Sequence, residues 1–308
     1  MIRDKISFIL TIIYLQFKGK TLEGKKYAIK NPLVLFKKKG TIKLTNGDEF
    51  IFNKDNKEDV FNIVFFALDE GIEFGNGKYK WKFDPKNGII ETHQGIRFKM
   101  GDIFIFGETF LHQIHFSGFD LKGKTVITAG AYVGDTPLFY SYYGAKVYAF
   151  EPDPNSFKKA EENILLNPTL KDNIILRNYA IGEDGEIDFP VEEDSGGSSI
   201  FKSNVKNKIR VKSVSIKTIL NEFNISDPYL LDLDIKGAEF IAIEDSSISR
   251  FKKIRIEYSP YLLNQSDKTV EYLIDKLKSY GFAKVRVFKH NNLKFDLTYH
   301  GTLEAEKE

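Results

Sequence analysis

Residues suited to chemistry stand in two short segments. The first, TAGAYVGD at 128–135, lies between an apolar run and a stretch with helical spacing. Gly130 permits a tight turn, Ala131 is small enough for close approach, and Gly134 lets a helix begin with its unused N–H groups turned outward. The second is the acid of YAFEP. Glu151 falls 21 residues after Gly130, near the spacing at which a carboxylate meets the hydroxyls of a bound ribose. An ordinary strand-end acid is the alternative reading. Because no second Gly-x-x-Gly cradle for a pyrophosphate is present, the pattern favours an adenosyl ligand without phosphates over a dinucleotide.

The elements that must hold these residues alternate. From 124 onward, short apolar runs (TVITAG, AKVYAFE, NIILRNYAIG, YLLDLDI, KKIRIEY, AKVRVFK, LKFDLTYH) are separated by helical stretches such as DTPLFYSYYG, PNSFKKAEENILLN, GAEFIAIEDS and DKTVEYLIDKLKSYG. That rhythm predicts a doubly wound α/β sheet of seven strands, the last antiparallel because only HNN precedes it. Between 181 and 213 the rhythm breaks into strand, Gly/Ser-rich loop (DSGGSS) and strand, a lid or a surface hairpin. Before 116 the signals differ. TIKLTNGDEFIF reads as a hairpin around Asn46-Gly47, KEDVFNIVFFALDEG as a helix capped by Gly71, and KYKWKFD, GIIETHQGIRFKM and GDIFIFG as strands. The expected organisation is a small α+β domain at 1–116, a candidate for substrate binding, followed by the ligand-binding domain at 117–308.

Composition narrows the function classes. Forty-five Lys and Arg against 43 Asp and Glu leave a net charge of +2, without the positive field that nucleic-acid binding draws on. The absence of cysteine removes disulfides, thiolate metal sites, iron–sulfur clusters and thiol nucleophiles. Few Met and Cys beside abundant Lys, Glu and Ile suit a thermophile. The apolar run at 6–17 is shorter than the roughly 20 residues that span a bilayer and reads as a packed helix. No transmembrane segment and a cytoplasmic location are expected. His112 and His115, three apart, read as ordinary polar residues, so no metal site is expected.

At GAYVGDT, VYAFEPDPNSFKKAEENILLN, YAIG, VSIKTIL, DIKGAEF and IRIEY, in order over roughly 108–260, the chain resembles the FkbM family of S-adenosylmethionine-dependent methyltransferases. The resemblance implies a seven-stranded Rossmann-like class I methyltransferase fold, S-adenosylmethionine as cofactor, and O-methylation of a sugar or other small hydroxylated metabolite. Carried over, Gly130, Ala131 and Gly134 line the methionine and ribose side, Glu151 with Pro152 holds the ribose, and 178–181, with Ala180, lie near the adenine. Thr128, Asp135 and Asp234 complete the cofactor set. Thr128 stands where the family has Asp, and Lys236 replaces its usual acid. One lost charge-assisted hydrogen bond weakens binding by roughly tenfold to a hundredfold.

Methyl transfer to a hydroxyl needs alignment, a dry pocket and a base. The carboxylates implied at the strand ends are Asp234, Glu239 and Glu257. Asp234 is the favoured base and Glu257 the second candidate, whereas Glu239 reads equally as a helix-stabilising acid. Asp232, alternating with Asp234, faces the other side of the sheet. Two rival readings remain. AEENILLN is also similar to tRNA guanine methyltransferases, and the Thr128 and Lys236 departures would suit a degenerate binding protein without activity.

Overall fold

The computed structural model describes residues 28–308 apart from 76, 116–117, 192–206, 264–266, 290–296 and 299. The apolar run at 6–17 and the DSGGSS loop lie outside the described residues. The chain divides into two units, 1–112 and 113–308.

In the first unit, β1 (Gly40–Lys43) and β2 (Glu49–Phe52) pair antiparallel, and Gly47 takes the left-handed φ of 100° that the Asn-Gly turn demands. Helix α1 (Lys57–Glu70) buries Val60, Ile63, Val64 and Ala67 on one face and stops at Gly71, φ 68°. Strands β3 (Lys82–Asp84), β4 (Ile89–Glu91) and β5 (Arg97–Lys99) form an antiparallel meander. The next segment corrects an expectation, because GDIFIFG forms helix α2 (Ile103–Phe110) rather than a strand. Ile103, Phe106, Gly107 and Phe110 are buried at helical spacing. Gly107 meets the Phe66 ring so closely that an added Cβ would sit 2.3 Å from it. Four consecutive apolar residues carry no period of their own, so tertiary packing decided.

The second unit alternates β6 (Thr125–Ala129), α3 (Asp135–Tyr142), β7 (Lys146–Phe150), α4 (Pro154–Leu165), the short α5 (Pro168–Lys171) and β8 (Ile174–Arg177). Two-residue β9 (Ala180–Ile181) joins the hairpin β10 (Gly185–Pro190) and β11 (Lys208–Val214) in a separate three-stranded sheet. Then come α6 (Ile216–Glu222), β12 (Leu230–Leu233), α7 (Glu239–Ala242), β13 (Lys253–Tyr258), α8 (Val270–Ser279), β14 (Lys284–Phe288) and β15 (Gly301–Glu306). The main sheet has the order β14-β15-β13-β12-β6-β7-β8, with β15 antiparallel to both neighbours and the other strands parallel. This is the expected class I methyltransferase arrangement. The seventh strand is Gly301–Glu306; of the expected 293–300, residues 297, 298 and 300 lie in no strand and the others lie outside the described residues, and GAEFIAIEDS yields only the one-turn α7 before a 3-10 turn that begins at Ser246.

Ile127, Ala129, Leu231, Leu233, Ile254 and Ile256 feed one buried cluster with residues of α6 and α8. The alternate positions on the central strands are polar. Thr128, Asp232, Arg255, Glu304 and Arg286 stand in register across five strands. Arg255 Nη1 donates to Asp232 Oδ1 at 2.8 Å and Tyr140 Oη donates to Asp232 Oδ2 at 2.7 Å, all buried. Burial pushes the Asp232 carboxyl up, opposed by Arg255. Asp232 is thus a structural counter-ion, a role the sequence did not reveal. Among the described residues no helix is long and apolar enough to cross a membrane.

Asp232→Ala would leave the Arg255 guanidinium buried without its partner, and removing one member of a buried ion pair costs about 3–5 kcal/mol. Urea unfolding should show a loss of unfolding free energy of that size, larger than for substitution of the exposed pair Lys43–Glu49.

Candidate functional site

In an open parallel sheet the ligand crevice lies beyond the carboxyl ends of the strands, where winding reverses. Here the reversal falls between β6 and β12. The residues that follow them, Gly130 and Asp234, touch backbone to backbone: Asp234 N–H donates to the Ala129 carbonyl, and a Cβ on Gly130 would lie 2.0 Å from the Asp234 carbonyl oxygen. Gly130, at φ 85°, and Gly134, at φ 89°, both hold left-handed conformations. Gly134 is small for the sake of helix α4, since its Cβ would meet the Ala160 backbone at 3.1 Å. Ala131 is fully buried, and its N–H and that of Gly130 both donate to the Phe150 carbonyl.

Glu151 follows β7 and turns back onto this loop. Its Oε2 accepts from Tyr132 N–H at 2.8 Å and its Oε1 from Asp153 N–H at 2.9 Å. Tyr132 takes φ 42° to present that donor. The Asn178 amide donates to the carbonyls of Glu151 and Pro152, which clamps the loop from beyond β8. Asp153 caps α4 through Asn155 N–H and Ser156 N–H. Burial pushes the Glu151 carboxyl up to about 7, although the two N–H donors oppose it.

The far side of the crevice is charged. Lys236, in a left-handed turn at φ 48°, places its ammonium 2.9 Å from Asp234 Oδ1 and 3.3 Å from Glu257 Oε1. Asp234 first, then Glu257, hold that ammonium well above its ordinary range. The Asp234 contact is a charge pairing rather than an aligned hydrogen bond, because the buried Oδ1 finds no donor of good geometry. Glu257, nearly buried, also faces Arg255 Nη2 at 3.8 Å and His300 Nε2 at 3.7 Å. Glu239 has a different task. It is fully buried, it accepts from Gly237 N–H and Ser259 N–H, both at 2.6 Å, and burial pushes it up to about 7. It ties the turn after β12 to the turn after β13.

The sequence-derived residues fall as follows. Gly130, Ala131, Glu151 and Asp234 follow the carboxyl ends of β6, β7 and β12, and Pro152 sits on the Glu151 turn. Ala180 is buried at β9. Thr128 is buried one residue before the loop, level with Asp232. Asp135 is buried at the first position of α3, where Thr136 Oγ1 lies 3.3 Å from its Oδ2. His112 pairs with Glu70 at 3.2 Å, and buried His115 lies 3.2 Å from Thr136 Oγ1. Lys236 as a bridge, Arg255 and His300 were not read as site residues. For Lys236 the one available signal was the cation in DIKGAE.

A family model for the methyltransferase FkbM domain matches residues 129–283. The chain belongs to the FkbM methyltransferase family. S-adenosylmethionine is therefore its cofactor. Solved structures that align with this chain include the magnesium protoporphyrin IX methyltransferase ChlM from Synechocystis PCC 6803 with bound SAM, at 13% identity and TM-score 0.40, covering 67% of this chain and 82% of that one. The METTL16 methyltransferase domain aligns at 16% identity and TM-score 0.42, covering 87% and 86%. M. capricolum TrmK with S-adenosylhomocysteine aligns at 12% identity and TM-score 0.39, covering 64% and 67%. No curated protein matches the sequence significantly.

The residues present fit the cofactor. Each Glu151 oxygen spends one acceptor position on a backbone N–H and keeps another for a hydroxyl, and Asp234 Oδ1 lacks an aligned donor. An edge carrying Glu151, Asp153 and Asp234 suits a ligand bearing a sulfonium and an ammonium.

Only the ionised Glu151 accepts two hydroxyl donors. Below pH 7 the unliganded carboxyl holds a proton that binding must remove, so affinity is lost as pH falls. Calorimetric titration with S-adenosylmethionine should show Kd rising up to about tenfold per pH unit below 7, level above it, with this slope absent in Glu151→Gln. The same raised value means that Glu151, like Glu239, makes the unliganded fold less stable as pH rises from the unfolded value near 4.5 through 7.

Proposed function

We propose that this methyltransferase transfers its methyl group to a hydroxyl of a sugar or another small polyhydroxylated metabolite. The observation that carries this reading is the trio of Asp234, Lys236 and Glu257 beside the crevice, two carboxylates sharing one ammonium. A hydroxyl acceptor must be gripped as donor and as acceptor and must lose a proton, and this trio supplies both kinds of partner. Tyr261, 55% exposed three residues past β13, adds an aromatic face of the kind that binding sites set beside a few polar groups.

Bound S-adenosylmethionine supplies an electrophilic methyl group on a positively charged sulfur. The chain's own task is to align and desolvate, as an in-line displacement requires. Glu151 grips the ribose hydroxyls, and the Gly130 turn sets the wall between that carboxylate and Asp234. Lys236 donates to the acceptor's oxygens, while Asp234 and Glu257 accept from its hydroxyls. One carboxylate orients the reacting hydroxyl and the other receives its proton.

Asp234→Asn keeps the size and removes the charge. S-adenosylhomocysteine release with a panel of monosaccharides and glycosides should fall at least about a hundredfold, the scale of a general-base contribution, while calorimetric affinity for S-adenosylmethionine changes only a few-fold. Equal losses in both would assign Asp234 to holding the cofactor. An acceptor found among RNA or protein amines would refute the hydroxyl reading.

A further inference from the structure

We infer that the turn Pro32–Phe36 of the first unit fastens the protein to the surface of an anionic lipid bilayer. This goes beyond the reaction proposed above and does not depend on which acceptor is methylated.

The segment KNPLVLFKKK at 30–39 carries four lysines and no acid around an apolar centre. That centre folds as a 3-10 turn over Pro32–Phe36. Val34 and Leu35 are buried, whereas Leu33 and Phe36 stay 77% and 64% exposed. Residues three apart eclipse one another on a 3-10 turn, so Leu33 and Phe36 form one apolar ridge. Both ends of the turn are pinned to the rest of the unit. Asn31 Nδ2 donates to the Thr41 carbonyl at 2.9 Å, and Asn31 Oδ1 accepts from Lys43 N–H at 3.1 Å. Lys57, which opens α1, donates its Nζ to the carbonyls of Leu35 at 3.0 Å and Lys37 at 2.7 Å. Val34 wedges against Gly40, where an added Cβ would meet its Cγ2 at 2.6 Å. With Val34 and Leu35 held inward by these anchors, the ridge is held outward.

Single exposed hydrophobics are ordinary on a protein surface. Leu33, however, is the most exposed large hydrophobic among the described residues, and Phe36 shares its side of the turn. Lys30, Lys37, Lys38 and Lys39 flank the ridge along the chain, and all four are exposed. The two features together select the occupant. A bilayer takes up apolar side chains at its interface while its anionic head groups attract lysines, and firm attachment needs both signals. A nucleic acid would use the lysines but gain nothing from Leu33, because bases stack on aromatic faces. A folded protein partner needs a far wider contact than one turn offers. Attachment of this kind lies on the membrane surface and requires no spanning helix.

Co-sedimentation of the full chain with lipid vesicles tests this. The protein should bind vesicles of phosphatidylcholine and phosphatidylglycerol in equal parts, dissociate as salt is raised, and ignore phosphatidylcholine alone. Leu33→Ser combined with Phe36→Ser should lower the partition coefficient about a hundredfold, about tenfold for each apolar side chain withdrawn. Lys37→Gln, Lys38→Gln and Lys39→Gln together should lower it by a similar factor, at about fivefold per lysine. These variants replace exposed side chains, so the urea midpoint and the Kd for S-adenosylmethionine should stay unchanged. Trp81 is the chain's single tryptophan and is fully buried. Phe36→Trp therefore adds a local reporter, whose emission should shift to the blue on the anionic vesicles and be quenched by brominated acyl chains. Absence of vesicle binding, equal binding to phosphatidylcholine alone, or binding undiminished by Leu33→Ser with Phe36→Ser overturns the inference. So does a concentration-dependent dimer that this pair abolishes while vesicles are ignored, which would make the ridge a contact between copies. RNA binding through the lysines, with no shift of the Phe36→Trp emission on vesicles, overturns it as well.

Discussion

The contact between Gly130 and Asp234 sets the distance on which the crevice depends. Strands β6 and β12 are hydrogen-bonded neighbours, yet the chain leaves them in opposite directions, so their following turns must diverge from a single point. Only a residue without a side chain lets the two backbones meet there, because a Cβ would sit 2.0 Å from the Asp234 carbonyl oxygen. From that point the Gly130 turn runs toward Glu151, whose carboxylate accepts from Tyr132, while the Asp234 turn runs toward Lys236. Glu151 and the Asp234–Lys236 pair are thus held apart by backbone rather than by side-chain packing.

Burial then gives four neighbouring acids different work. Glu151 and Glu239 are both pushed up to about 7 by desolvation, and both accept two N–H donors. Glu151 borders the crevice and can be re-charged by a ligand's hydroxyls, whereas Glu239 is sealed and serves as a strut between two turns. Asp234 and Glu257 both lie beside the Lys236 ammonium, at 2.9 and 3.3 Å. The substitution that seems from sequence to damage the motif therefore supplies a cation that lets two acids coexist a few ångströms apart.

The sequence made the parallel sheet legible because its alternation of apolar runs and helical stretches is a long-range rhythm, and Glu151 was legible because its distance from Gly130 along the chain reflects one β-α-β unit. Other features left no such trace. GDIFIFG lacks a period, and its helix is decided by Gly107 meeting Phe66. Strand β15 was displaced to 301–306 because GTLEAE carries small and charged residues that strand patterns avoid, while its neighbours β13 and β14 bury them. For Asp232 the alternation gave only the side of the sheet it faces, and nothing local marked Arg255 as its partner in the interior. His300 joins Glu257 only through antiparallel pairing 43 positions along, which no local spacing announces.

Strand β15 runs against its neighbours, so it brings its beginning, not its end, to the edge where the parallel strands finish. The chain therefore returns to the carboxyl edge of the parallel strands by a segment that lies past residue 283, where the family match stops. Change in that returning segment alters what stands beside Glu257 without disturbing Gly130 or Glu151.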